Sequence, residues 1–121
     1  MRILIVEGNP NLGRIWQDHL ERLDFEVVLV SGQSGAVKSL EEENFNAIVL
    51  NLVLKGESAF AVADYASYKR PDAKVIFVTD TSFFSDGSIF ALAPNACAYV
   101  REQTPPNDLA AIVAHYAGDR S

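Results

Sequence analysis

The chain has 121 residues, a formal net charge of −6 and one cysteine, with a pI near 4.7. That length suits one domain, residues 1–121, with a single buried core. The acidic balance speaks against a nucleic-acid-binding face, which needs cations against phosphate. The lone Cys97 excludes an intramolecular disulfide and fits a reducing compartment. No apolar run approaches the ~20 residues that span a bilayer. The opening Ile3-Leu4-Ile5-Val6 is too short, and too soon followed by Glu7, for a signal peptide. A cytoplasmic domain with no membrane contact is therefore expected.

Ile3 to Val6 read as a first strand, ended by Glu7-Gly8-Asn9-Pro10. Asn9 is suited to cap a helix whose first position is Pro10, where a missing N–H costs nothing. Leu12, Ile15, Trp16, His19, Leu20 and Leu23 recur at helical spacing and predict its inward stripe. Val27 to Val30 form the next strand, and Ser31-Gly32 breaks it. A second helix is expected from Gln33 to Asn44, with Ala36, Val37 and Leu40 inward and Glu41 to Glu43 outside. Ala47-Ile48-Val49-Leu50 is an uninterrupted apolar run, the pattern of a central strand buried on both faces. Asn51 falls at its carboxyl end.

Phe60, Val62, Ala63 and Ala66 mark a third helix, stopped by Pro71. Val75 to Val78 form a fourth strand ending in Thr79-Asp80. A short helical segment is expected over Ile89 to Ala93, then a fifth strand over Ala98-Tyr99-Val100. The last helix starts near Pro105-Pro106 and carries Leu109, Ile112, Val113 and Tyr116 inward. Five strands alternating with five helices imply an α/β fold, a parallel sheet with helices on both faces. In such sheets ligands gather beyond the carboxyl ends of the strands, which places Asn51 at the centre of interest.

Four segments at mutually consistent spacing carry a family likeness: Ile3 to Pro10, Asn51 to Gly56, Phe77-Val78-Thr79, and Ala96 to Leu109. Over nearly its whole length the chain resembles the receiver domain of two-component response regulators. The resemblance implies a flavodoxin-like, doubly wound five-stranded sheet of order 2-1-3-4-5. It also implies a pocket in which two acidic residues after the first strand, a phosphoacceptor aspartate and a carbonyl two residues past it hold Mg²⁺. Here the acidic pair is Glu7 and Gly8, the acceptor is Asn51 and the carbonyl belongs to Val53. The family's lysine falls at Glu102 when Tyr99 is aligned with the aromatic of the fifth strand. Thr79 and Tyr99 match the pattern, whereas Asp80 stands where receivers usually carry a small residue. The likeness is to a degenerate, pseudo-receiver type.

Each residue also has a plainer reading. Asn51 is either an acceptor locked in an uncharged state or a structural amide at a strand end, and neither takes a phosphoryl group, because an amide oxygen is a weak nucleophile. Glu7 and Glu102 make a thin site for a hard cation, and Glu102 can instead face solvent while Arg101 covers the pocket. Thr79 is as well explained by a backbone hydrogen bond as by an anion-binding role. His19 reads as a partly buried core histidine and His115 as an exposed one. Cys97 reads as a small buried or edge residue. No glycine-rich phosphate loop can be drawn. Phe83, Phe84 and Phe90 crowd one short segment near Tyr99. Apolar surface left exposed there would be a partner site, on the face of fourth helix, fifth strand and fifth helix that receivers use for docking or homodimers.

The resemblance, with the residues that depart from it, thus implies a phosphorylation-independent signalling or protein-interaction module in a two-component phosphorelay. No catalytic residues, enzyme activity or resident metal are expected, and Mg²⁺ binds weakly if at all. The partner would be a histidine kinase, another signalling protein or a second copy. The alternatives are a phosphoacceptor of altered chemistry using another residue such as Asp80, and a small-ligand-binding flavodoxin-like domain.

Overall fold

The computed structural model describes residues 1–54, 57–79 and 95–118. The short helix expected over 89–93, together with Asp80, Phe83, Phe84 and Phe90, lies outside the described residues. Five strands form one parallel sheet: β1 (Arg2–Val6), β2 (Glu26–Val30), β3 (Ala47–Asn51), β6 (Lys74–Thr79) and β7 (Ala96–Arg101). Their spatial order is β2-β1-β3-β6-β7. Numbered within that sheet alone, this is the expected 2-1-3-4-5. The four helices described are α1 (Pro10–Glu21), α2 (Gln33–Glu42), α3 (Ala59–Lys69) and α4 (Pro106–Ala117). Among the described residues, no helix is long and apolar enough to cross a membrane.

The side-chain alternation of the strands divides the core in two. Leu4, Val6, Ile48, Leu50, Val75 and Phe77 face α2 and α3, packing on Ala36, Leu40, Val62 and Ala66. Ile3, Ile5, Ala47, Val49, Ile76 and Val78 face α1 and α4, packing on Trp16, Leu20, Leu109 and Val113. Every residue of β3 is buried, which is why that segment reads as an unbroken apolar run rather than an alternating one.

Helix boundaries follow local chemistry. Asn9 caps α1 through its side chain, which accepts from the N–H groups of Asn11 and Leu12, and Pro10 opens the helix as expected. α3 stops at Lys69 with Arg70 outside helical geometry, because the residue before a proline is pushed out of the helical region. Asp24 adopts left-handed backbone (φ 69°), which Asp tolerates better than most side chains, and the chain turns there into β2.

Several expectations are corrected. Ile15 and Leu23 are exposed: the buried line of α1 is Gly13, Trp16 and Leu20, a narrow stripe that leaves Ile15 about 100° to one side of Trp16. Leu23 lies beyond the helix end. α2 ends at Glu42, not Asn44. A two-residue antiparallel hairpin, β4 (Val53–Leu54) with β5 (Glu57–Ser58), was not expected.

β7 also holds an irregularity. Val75 pairs with Ala96 but Ile76 with Ala98, so Cys97 is an extra residue, a β-bulge. Cys97 and Ala98 consequently pack toward the same α1/α4 side, and Tyr99 turns to the α2/α3 side. Without the bulge, Tyr99 would point the other way.

Phe77 is fully buried on β6 and meets Phe60 of α3 with ring centroids 5.9 Å apart. Phe77→Ala is expected to lower unfolding free energy by about 3–5 kcal/mol, the usual range for deleting a core aromatic. Urea unfolding would measure it, and a loss below about 1 kcal/mol would show that the α3 side of the sheet repacks freely.

Candidate functional site

The site is assembled where β1 and β3 end side by side. Val6 pairs with Leu50 and with Val30, so Glu7 and Asn51 emerge at the same edge of the sheet. Both are almost without access to water, at 4% and 3% relative exposure. The backbone N–H of Glu7 donates to the Val30 carbonyl at 3.0 Å, extending the sheet ladder by one residue.

Their side chains interlock. The N–H of Val53 donates to Oδ1 of Asn51 at 2.8 Å. A backbone N–H only donates, so this contact fixes which end of the carboxamide is oxygen. The opposite end, Nδ2, then donates to Oε1 of Glu7 at 2.6 Å. The second carboxylate oxygen, Oε2, accepts the N–H of Asn9 at 2.9 Å. Asn9 in turn caps α1, whose positive end favours a carboxylate close by. A continuous chain of hydrogen bonds thus runs from the N-terminus of α1 through Glu7 and Asn51 to the start of β4.

Above this pair lies a cavity of about 680 Å³ lined by Glu7, Gly8, Asn9, Pro10, Ser31, Asn51, Val53 and Glu102. Of the pocket residues expected from sequence, the fold brings together Glu7, Gly8, Asn51, Val53 and Glu102. Thr79 is buried at the end of β6, and its carbonyl accepts the N–H of Glu102 at 2.7 Å. Asp80 is outside the described residues. Glu102 lines the cavity, whereas Arg101 is exposed and does not cover it. Ser31 was missed by sequence reasoning. Its signal was topological: it directly follows β2, the neighbour of β1. A second cavity, about 490 Å³, shares Glu7, Pro10 and Ser31 and extends along Leu29 and Val30 to Gly35. Among the described residues, no Lys, Arg or His lines either one.

The donor set does not fit Mg²⁺, which requires near-octahedral oxygen ligands. Both oxygens of Glu7 and the oxygen of Asn51 already accept N–H groups. The nitrogen of Asn51 is a donor and cannot ligate a cation, and Gly8 offers no side chain. Among the described residues, no group of three or more His, Cys, Asp or Glu could hold a metal ion. Space is not the obstacle at Gly8: a Cβ there would meet only the Ser31 carbonyl, at 3.7 Å.

Comparison with known proteins places this geometry. The chain is 27% identical over 78 residues to the response regulator receiver protein CpdR of Brucella abortus, a match covering 64% of this chain and 65% of that protein. Its fold superposes on a CheY-like response regulator receiver domain protein from Methanospirillum hungatei with a TM-score of 0.86 and 26% identity, over 96% of this chain and 92% of the other. In sequence and in fold the chain is thus similar to response regulator receiver domains. The response regulator TrrA of Thermotoga maritima, solved with Mg²⁺ and BeF, shares the fold at a TM-score of 0.81 and 24% identity, over 95% of this chain and 97% of that one. No family model matches the chain.

The other candidate groups of this receiver-like domain lie apart from the cleft. His19 is half-buried, its Nδ1 2.9 Å from the Ile15 carbonyl. His115 is exposed and meets Tyr116 edge-on. Tyr99 is half-buried against the α2/α3 core. Cys97 sits at the bulge with its Sγ 3.6 Å from the Val75 carbonyl. Burial pushes its thiol up to about 11, against a weaker opposing pull from Lys74. Because the thiolate is the reactive form, folded Cys97 at pH 8 should alkylate roughly a hundredfold slower than the same thiol in the denatured chain. Equal rates with iodoacetamide in the two states would show that the bulge leaves the sulfur open.

Proposed function

We propose that this chain is a degenerate receiver module of a two-component phosphorelay that acts through protein contacts, without being switched by phosphorylation. The observation that carries the reading is Asn51. At the position matching the phosphoacceptor it presents an amide, and both polar ends of that amide are already engaged, by Val53 and by Glu7. An acyl phosphate needs a carboxylate oxygen to attack phosphorus, and an amide oxygen bound to a backbone N–H is poorly suited to it. Phosphoryl transfer is otherwise a matter of positioning and charge neutralisation. Here the cleft carries Glu102 where positive charge would be wanted. TrrA is solved with Mg²⁺ and BeF; the donor set of this cleft argues for a module with no resident cofactor and no enzymatic activity.

On this reading residues 1–121 form one cytoplasmic signalling unit whose partner is a protein: a histidine kinase, another signalling protein or a second copy. The acidic balance of the chain disfavours nucleic acid. The docking face would include β7, with Tyr99 turned by the bulge toward the α2/α3 side. Phe83, Phe84 and Phe90, which belong to the same proposal by sequence, lie outside the described residues.

The test is labelling by acetyl phosphate and Mg²⁺, followed by mass spectrometry. The wild-type chain should gain no phosphoryl group, and a labelled Asp80 would replace this reading with a phosphoacceptor of altered chemistry. Asn51→Asp alone should label slowly, because it restores the nucleophile but not the surroundings. Unit charges at ~4 Å interact by about 4 kcal/mol at a surface-like dielectric, and each 1.36 kcal/mol is about tenfold in rate. The triple replacement Gly8→Asp, Asn51→Asp, Glu102→Lys should therefore label at least about tenfold faster than the single one. Equal rates would mean that Glu102 does not act on the phosphoryl position.

A further inference from the structure

We propose that the carboxamide of Asn51 is a built-in stand-in for a bound cation: it donates to the buried Glu7 carboxylate and fixes the chain after β3, so the cleft is held in one state with no ion. The proposal rests on reading the cleft as a receiver-type pocket, and it concerns how that pocket is charge-balanced rather than what it signals.

The geometry points there from three sides. Glu7 is nearly inaccessible to water, and a buried carboxylate persists only where donors or a cation replace its hydration. Two donors do so, Asn51 Nδ2 at 2.6 Å and the Asn9 N–H at 2.9 Å, one on each oxygen. The same carboxamide accepts from Val53 at 2.8 Å, so a single side chain holds the carboxylate and sets the start of the β4–β5 hairpin together. Satisfying the oxygens of a buried carboxylate and fixing the loop after β3 are two tasks that a bound divalent ion could perform by ligation. Here one amide performs both by hydrogen bonding.

Thermal unfolding, followed by circular dichroism in EDTA and in millimolar Mg²⁺, tests this. The wild-type midpoint should be the same in both. Asn51→Asp removes the donor and sets a second carboxylate against Glu7, so its midpoint in EDTA should fall by about 5 °C or more, and Mg²⁺ should raise it by about 2 °C or more. The exchanged pair Glu7→Gln with Asn51→Asp puts the amide on β1 and the carboxylate on β3. It should recover at least half of the loss in EDTA. A wild-type midpoint that rises with Mg²⁺, an Asn51→Asp midpoint unchanged in EDTA or indifferent to Mg²⁺, or an exchanged pair no more stable than Asn51→Asp each overturns the proposal. If Asn51→Asp does not fold in EDTA, the exchanged pair decides: folded supports the substitution, unfolded overturns it. Phosphoryl labelling of the wild type would remove the functional reading and leave this one standing, whereas a Mg²⁺-dependent wild-type midpoint without labelling would overturn this one and the absence of a cofactor but leave the phosphorylation-independent role standing.

Discussion

The hydrogen bond from Asn51 Nδ2 to Glu7 Oε1 is the contact on which the cleft depends. It joins the ends of two adjacent parallel strands at the point where the sheet stops and the loops begin. Removing one partner of a buried hydrogen bond typically costs about 1–3 kcal/mol, and more where the group left unsatisfied is charged. A chain of this size has about 5–15 kcal/mol of stability in all. Loss of the bond would thus take a sizeable share of that stability.

The core explains why the pair must be internally balanced. Directly below Glu7 lie Val6 and Ile5, and below Asn51 lie Leu50 and Val49, all at 0% exposure. This floor has no polar group to share a charge. Any charge at the strand ends has to be met by the loops: the cap of α1 at Asn9 on one side, the turn at Val53 on the other. A glycine at position 13 helps α1 lie close, since a Cβ there would come within 2.8 Å of a Leu29 methyl and 3.5 Å of the Glu7 Cβ. The packing of α1 and the electrostatics of the cleft are one problem with one solution.

Much of this was legible in the sequence. The unbroken run Ala47 to Leu50 placed Asn51 at a strand end, and Asn9-Pro10 announced the helix start, because both are local signals with a direct backbone cause. The stripe of α1 was read too widely: periodicity marks which residues are apolar, not how wide a face the sheet covers, and Ile15 fell outside it. The bulge at Cys97 leaves no compositional trace. Ala96, Cys97 and Ala98 are small residues that fit either face, so only the pairing with β6 decides which way Tyr99 turns. The role of Asn51 was half-visible: an amide could be seen to lack a nucleophile, but its bond to Glu7 spans 44 positions in the chain and exists only once β1 and β3 are paired.

Reading the amide as part of a charge balance also changes what its presence means for signalling. A receptive pocket needs two states of similar free energy, so that a ligand's differential affinity can shift the population between them. To ligate Glu7 an incoming cation would have to displace the Asn51 and Asn9 donors, and an incoming anion would meet Glu7 and Glu102 with no Lys, Arg or His among the described lining residues. On the proposed reading, a receiver-like fold with such a cleft keeps its architecture while losing its switch, and what remains for recognition is its surface.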